Sequence, residues 1–228
     1  MSAVEPQALA PRDRIGWVLL VGLGVAVYSH LYDRYQLPPR FPGSFGLIVG
    51  GDVIPLFVIP ALFVRFGLHE RLDRYGLRWP GLRPLLLWAG AAWLSLLPFV
   101  LVLSQRPEFR AFYPSPQFPP ARQHAIGLAF LWLLHHGPQL FATEFCFRGF
   151  LLFPLARRLG PARAIAALTA PYVALHAAKP PLELVEALWA GIAFSFVAWR
   201  TGSFLPAFLA HWGVAIAMDW LCLQPFLL

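Results

Sequence analysis

Long apolar stretches, each about the length needed to cross a lipid bilayer, alternate along the chain with short polar connections. A hydrocarbon core of about 30 Å requires about 20 mostly apolar helical residues. Gly137 and Pro138 interrupt the fourth stretch, and a proline inside a helix breaks or kinks the backbone. The pattern therefore predicts an all-α membrane helix bundle with about seven or eight transmembrane helices. The seven candidate stretches are residues 15–32, 45–66, 84–105, 125–155, 161–177, 182–199 and 203–223.

The composition supports this interpretation. Hydrophobic residues make up 58% of the 228 positions and charged residues 13%, and the mean hydropathy is +0.61. Soluble proteins carry about 25% charged residues. The longest connection, residues 106–124, is rich in proline and too short for a second folded unit. We therefore expect a single integral membrane domain over residues 1–228.

The net charge of +7 comes almost entirely from arginines that lie between the apolar stretches. This distribution indicates membrane topology and gives no sign of nucleic-acid binding. If the N-terminus is cytoplasmic, eleven Arg residues lie on the cytoplasmic side, and five Arg and one Lys on the other. The positive-inside rule then predicts a cytoplasmic N-terminus and an external C-terminus. The eleven are Arg12, Arg14, Arg65, Arg71, Arg74, Arg78, Arg83, Arg157, Arg158, Arg163 and Arg200; the six are Arg34, Arg40, Arg106, Arg110, Arg122 and Lys179.

A few ionisable residues lie inside the apolar stretches, where a charge costs several kcal/mol and usually marks function. Glu144 and Arg148 are four residues apart, so they can meet on one helix face. His176 and His211 lie in later stretches. From the predicted cytoplasmic boundary, Glu144, His176 and His211 lie at a depth of about 13 to 21 Å at 1.5 Å per residue. The three side chains could therefore meet near the bilayer midplane.

One carboxylate and two imidazoles in a water-accessible pocket can activate a water molecule. The glutamate would accept the proton of the water, and the imidazoles would donate hydrogen bonds to the developing oxyanion or bind a metal, with zinc as the candidate. The alternative is structural, since a buried Glu–Arg pair can simply tie helices together. The adjacent His135 and His136 point about 100° apart on a helix, which favours a helix cap over a shared metal site.

Three short segments, TEFCFRGF, YVALH and HWGVA, resemble the motifs of the CAAX protease and bacteriocin-processing (ABI) family of intramembrane endopeptidases. The family pattern has two adjacent glutamates, three residues and an arginine. An aromatic residue, three residues and a histidine follow, and the last motif is a histidine, three residues and an asparagine or aspartate. The resemblance covers residues 125 to about 223, the expected catalytic core.

The resemblance assigns roles to five residues. Glu144 and Arg148 match the second glutamate and the arginine, Tyr172 and His176 match the second motif, and His211 opens the third. It implies a helical bundle around a conical intramembrane cavity. It also implies cleavage, dependent on glutamate and histidine, of a peptide bond near the C-terminus of a substrate or within a membrane segment. The guanidinium group of Arg148 stays charged at any working pH and cannot exchange protons, so we expect Arg148 to have an orienting role.

Two positions depart from the family pattern. Thr143 replaces the first glutamate, usually taken as the general base, and Ala215 replaces the asparagine or aspartate. In one interpretation Glu144 has become the base, and Thr143 or Asp219 supplies the missing polar contact. In the other, catalysis is lost and the bundle only binds its partner. A threonine hydroxyl cannot take a proton near neutral pH, so Thr143 can at most position the water.

Glu183 and Glu186 begin the sixth stretch, where they either bind a basic substrate segment or form a solvated helix start. We predict an intramembrane endopeptidase that processes prenylated, lipidated or C-terminally anchored proteins in a bacterial inner membrane. Its partners would be the lipid bilayer and a membrane protein or lipidated peptide. The alternative is a non-catalytic immunity or chaperone-like binding protein. A small transporter fits less well, because the chain lacks a pair of broken helices.

Overall fold

The computed structural model describes residues 12–35, 48–114 and 125–227, and every regular element in these ranges is helical. The helices are α1 (Arg12–Tyr35), α2 (48–67), α3 (Leu82–Leu103), α4 (Pro107–Phe112), α5 (125–159), α6 (Pro161–Ala174), α7 (Glu183–Thr201) and α8 (Leu205–Leu227). Two of them, α2 and α5, combine α-helical and π-helical turns. A short 3₁₀ turn, Leu72–Tyr75, lies between α2 and α3.

The predicted break at Gly137 and Pro138 does not occur. His136 has helical backbone angles, φ −61° and ψ −38°, and α5 continues through Pro138 into the segment Gly137–Glu144. The turn before it, Leu131–His136, is π-helical. A π-helical turn is wider than an α-helical one, so it can relieve the contact between a proline ring and the preceding turn. The helix therefore accommodates the proline without ending.

Five helices in the described part of the chain are long and apolar enough to cross a membrane. They correspond to five of the seven predicted stretches and support an integral membrane protein. The other two stretches fall on α5, which is divided into α-helical and π-helical segments, and on α6, which has 14 residues. The count of seven or eight crossings therefore stays a prediction. The five candidate spans are Arg14–Tyr32, Gly50–Gly67, Leu82–Leu103, Glu183–Thr201 and Leu205–Leu223.

Helix α5 forms the centre of the bundle, since every residue from 144 to 156 is buried. Helices α1 and α2 pack against each other and against α5, whereas α3 packs against α7 and α8. The outward faces of α1, α3 and α7 expose large apolar side chains such as Trp17, Leu86 and Ile192. Exposed apolar faces around a core with buried charges are typical of a bundle surrounded by lipid. Glu144 and Arg148 therefore lie in the protein interior.

The 3₁₀ turn approaches α5 so closely that the helix requires a glycine there. A Cβ atom added at Gly149 would lie 2.6 Å from the backbone carbonyl oxygen of Tyr75. Tyr75 is 1% exposed, and its ring stacks on Phe150 at 6.0 Å between centroids. This contact anchors the connection between α2 and α3 beside the helix that carries Glu144.

Candidate active site

Glu144 joins α5 to α8 by a hydrogen bond to His211. The side chain of Glu144 is completely buried, and its Oε1 lies 2.7 Å from Nδ1 of His211 and 3.3 Å from Nη1 of Arg148. A carboxylate can only accept hydrogen bonds, so Nδ1 of His211 carries the proton in this contact. The other carboxylate oxygen, Oε2, is buried without a hydrogen-bond partner among the described residues. The structure thus brings together two residues that are 67 positions apart.

Arg148 is stabilised by an aromatic ring as well as by Glu144. The side chain is 1% exposed, and its Cζ atom lies 3.9 Å from the centroid of the Tyr172 ring. A guanidinium group over an aromatic face is attracted to it by about 0.5 to 2 kcal/mol. Within the described residues, Nε and Nη2 of Arg148 have no hydrogen-bond partner. Arg148 therefore connects Glu144 on α5 to Tyr172 on α6.

His176 and His211 line one small cavity of about 30 Å³. Nδ1 of His176 lies 3.0 Å from the backbone oxygen of Tyr172, so this nitrogen is a donor. The ring of His211 stacks on Phe194 with 5.1 Å between centroids. A polar cavity of this volume can hold a water molecule. The other lining residues are Leu96, Tyr172, Glu183, Glu186, Ala187, Ala190, Phe194 and Val214.

Glu144 is not among the residues that line this cavity. His211 contacts both Glu144 and the cavity, since its ring borders the cavity and its Nδ1 bonds to Glu144. The sequence pattern predicted that Glu144 acts on the water directly. The geometry instead connects Glu144 to the cavity through the imidazole ring.

Glu183 and Glu186 reach the same cavity from the first turn of α7, but their surroundings differ. Glu183 accepts hydrogen bonds from the hydroxyl of Tyr113 at 2.8 Å and from Nζ of Lys179 at 2.6 Å. Burial, and then the charge of Glu183, raises the pKa of Tyr113 well above its usual range, so the phenol keeps its proton and donates it. Glu183 is therefore a paired carboxylate, whereas no hydrogen bond to Glu186 is found in the described part of the chain.

Tyr113 was missed by the sequence analysis. It lies in the proline-rich connection 106–124, where no periodicity marks one residue above another. The spacing of four between Lys179 and Glu183 was a usable signal for their ion pair.

Thr143 and Asp219, the two proposed sources of a replacement polar contact, lie apart from the cavity. The hydroxyl of Thr143 donates to the backbone oxygen of Gln139, 3.0 Å away on the same helix. Asp219 is fully buried, and its Oδ2 lies 3.1 Å from Nε1 of Trp132 and 3.1 Å from Nε2 of His136. Neither side chain forms a described hydrogen bond with Glu144, His176 or His211.

The hypothesis that His136 caps a helix is not supported by its contacts. It precedes the segment Gly137–Glu144 but makes no capping hydrogen bond with its side chain. Its imidazole instead bonds to Asp219 on α8. This second polar cluster ties the beginning of α5 to the end of α8.

The described residues contain no group of three or more His, Cys, Asp or Glu side chains placed to hold a metal ion. His176 and His211 border the same cavity, but a catalytic zinc site has three protein ligands. Zinc binding by His176 and His211 stays a prediction.

An open apolar cleft of about 380 Å³ lies between α2, α5 and α8. Two of its residues, Phe141 and Ala142, lie three and two positions before Glu144 on α5. The walls contain no charged side chain, so the cleft suits a hydrocarbon chain. Its main lining residues are Val53, Phe57, Pro138, Phe141, Ala142 and Phe208.

Comparison with known proteins gave one informative result. Neither the curated proteins nor the solved structures gave a match. A family model described as type II CAAX prenyl endopeptidase Rce1-like matches residues 125–217. The matched region contains Glu144, Arg148, His176 and His211. Because the matching family is a protease family, the match supports, at the level of the family, an intramembrane CAAX-type endopeptidase. The similarity of residues 125–217 to the Rce1-like CAAX prenyl endopeptidases thus confirms the resemblance that the three motifs indicated.

Proposed function

We propose that this chain is an intramembrane endopeptidase in which a glutamate–histidine pair activates a water molecule. One observation carries the proposal: Glu144 bonds to His211 at 2.7 Å, and His211 and His176 border the same water-sized cavity. A carboxylate that orients an imidazole beside a reacting water is an arrangement that several hydrolases share.

The first step is the attack of water on the peptide carbonyl carbon. Because Nδ1 of His211 donates to Glu144, its Nε2 is free to accept a proton in the neutral ring. As the water oxygen attacks, the proton passes to Nε2, and the negative charge of Glu144 stabilises the imidazolium. His176, held by the backbone oxygen of Tyr172, presents its own Nε2 to the same water and orients it.

The surroundings of the site support a proposal for the substrate class. We propose that the substrates are prenylated, lipidated or C-terminally anchored membrane proteins. The apolar cleft beside Phe141 and Ala142 could receive a lipid chain, while the scissile peptide bond approaches the water in the polar cavity. The proposed location is a bacterial inner membrane, with the N-terminus in the cytoplasm.

The second candidate is a non-catalytic binding protein. Two observations support it. The hydroxyl of Thr143 donates its hydrogen bond to the backbone oxygen of Gln139, and the side chain of Ala215 has no polar group. In that case Glu144 would serve only as the partner of Arg148 and His211.

Replacement of Glu144 distinguishes the two functions. Glu144→Gln keeps the shape of the side chain but removes its charge, so cleavage should fall by at least about 100-fold. Thr143→Ala should stay close to the parent, because the hydroxyl bonds only to its own helix. The measurement is cleavage of a farnesylated substrate protein in proteoliposomes, at equal amounts of folded variant. Full turnover by Glu144→Gln, or a parent that cleaves no lipidated or anchored substrate, would favour the binding protein.

A further inference from the structure

The cavity contains a carboxyl group that the mechanism above does not use. Glu186 lies in the first turn of α7, is 7% exposed, and lines the cavity together with His176 and His211. Within the described part of the chain, no hydrogen bond or ion pair involves its carboxyl group. Glutamates at a helix start are usually solvated or paired, as Glu183 is with Lys179. A buried carboxyl group that borders a water-sized cavity and has no hydrogen-bond partner is available to interact with a molecule bound there.

Hydrolysis of a peptide bond needs a second proton transfer. The amine nitrogen must gain a proton as the carbon–nitrogen bond breaks, since an amide anion is a very poor leaving group. His211 takes the proton of the water, and Glu144 stabilises the charge it acquires. Enzymes assign the acid role and the base role to titratable groups that lie in different environments.

The surroundings of Glu186 suit a general acid that protonates the amine nitrogen. The ammonium group of Lys179 bonds to Glu183 at 2.6 Å and not to Glu186. A buried carboxyl group without a bonded cation holds its proton more readily than a paired one. The other ionisable groups around it are Tyr172 on α6, His176 in the turn that follows α6, and His211 on α8.

We propose that Glu186 is a further catalytic residue that protonates the leaving amine; this role rests on the proposed endopeptidase function. The water oxygen bonds to the carbonyl carbon while one water proton moves to Nε2 of His211. The carbon–nitrogen bond then breaks, its electron pair stays on nitrogen, and the carboxyl proton of Glu186 moves to that nitrogen. The imidazolium of His211 returns its proton to the Glu186 carboxylate across the cavity. Both side chains are then in their starting states.

The test compares two substrates that differ only in the leaving group. One is a lipidated peptide with the normal scissile amide, and the other has a thioester at the same bond. A thiolate leaves without protonation, so only the amide requires the acid. For Glu186→Gln we expect the amide rate to fall by about 10²- to 10⁴-fold and the thioester rate by less than about tenfold. The ratio of the two rates is measured on one preparation, so a reduced folded fraction cancels.

Glu183→Gln is the matched control, since it removes a carboxylate from the same helix turn and cavity. Its amide-to-thioester ratio should equal that of the parent, whatever its overall rate. Glu186→Asp keeps an acid and should restore part of the amide rate; the same ratio as Glu186→Gln would contradict the proposal. If Glu186→Gln lowered the rates on both substrates by the same factor, the acid role of Glu186 would be overturned and the endopeptidase function would be unaffected. A parent inactive on both substrates would overturn the endopeptidase function itself.

Discussion

Two buried charges four residues apart, Glu144 and Arg148, are stabilised by partners that lie far away in the sequence. Glu144 bonds to His211, and the guanidinium group of Arg148 lies over the ring of Tyr172. Ionisable side chains in the membrane interior cost several kcal/mol when they are unpaired. At the scale of single residues, tertiary contacts on α6 and α8 therefore offset the cost of charges that α5 carries.

Arg148→Lys should lower folded yield and activity together. A lysine keeps the charge but loses the planar group that lies over Tyr172 while bonding to Glu144. We expect a loss of stability of about 1 to 3 kcal/mol, seen as a lower unfolding temperature in detergent. Arg163→Lys is the control, because Arg163 is exposed on α6. Lost activity at an unchanged unfolding temperature would instead place Arg148 at the substrate.

At the scale of secondary structure, α5 is positioned by an unusually close contact. The helix carries both charged site residues, and the 3₁₀ turn packs its Tyr75 carbonyl directly against Gly149. The bond between the hydroxyl of Tyr75 and Glu70, at 3.0 Å, holds that turn in place. The glycine that follows Arg148 in the motif is therefore explained by packing.

Gly149→Ala should destabilise the protein by about 1 to 3 kcal/mol, because backbone atoms must move to admit a methyl group. Gly90→Ala is a matched control in α3, since a Cβ at Gly90 meets no atom within 4 Å. That variant should be unchanged or more stable by up to about 1 kcal/mol. Thermal unfolding of both purified variants in the same detergent provides the comparison. Equal unfolding temperatures would show that the turn can move away from α5 at no cost.

At the scale of the whole molecule, segments expected on the same side of the membrane lie together. Arg14 at the start of α1 bonds to Glu70, and Arg157 at the end of α5 bonds to the backbone oxygen of Arg74. The hydroxyl of Ser203, between α7 and α8, donates to the backbone oxygen of Arg78. All these segments belong to the arginine-rich side. At the opposite end of the bundle, Tyr113 and Lys179 both donate hydrogen bonds to Glu183.

The charge asymmetry predicts that the arginine-rich end is cytoplasmic and that the C-terminus is external. Alkaline phosphatase fused after Leu228 should be active, and green fluorescent protein at the same position should be dark. Fusions truncated after Gly81, in the arginine-rich connection, should behave in the opposite way. A fluorescent full-length fusion would place the C-terminus in the cytoplasm and require an even number of crossings from a cytoplasmic N-terminus.

The sequence by itself determined the features that depend on local composition. An apolar stretch of about 20 residues predicts a spanning helix without reference to its neighbours. The spacing of Glu144 and Arg148 predicts their contact, because residues four apart meet on any helix. The motifs were likewise sufficient to indicate the family resemblance and to identify His176 and His211 as candidates.

Only the tertiary structure decided which side chains share the cavity. A helix that is apolar on most faces has no polar stripe to fix its rotation, so the directions of Glu186 and Asp219 could not be derived from periodicity. Packing turned Glu186 toward His176 and His211, and placed Asp219 beside His136 instead. Tyr113 reached Glu183 across 70 residues by the same means. These contacts depend on how separate helices rotate and cross, which side-chain packing decides and local sequence does not.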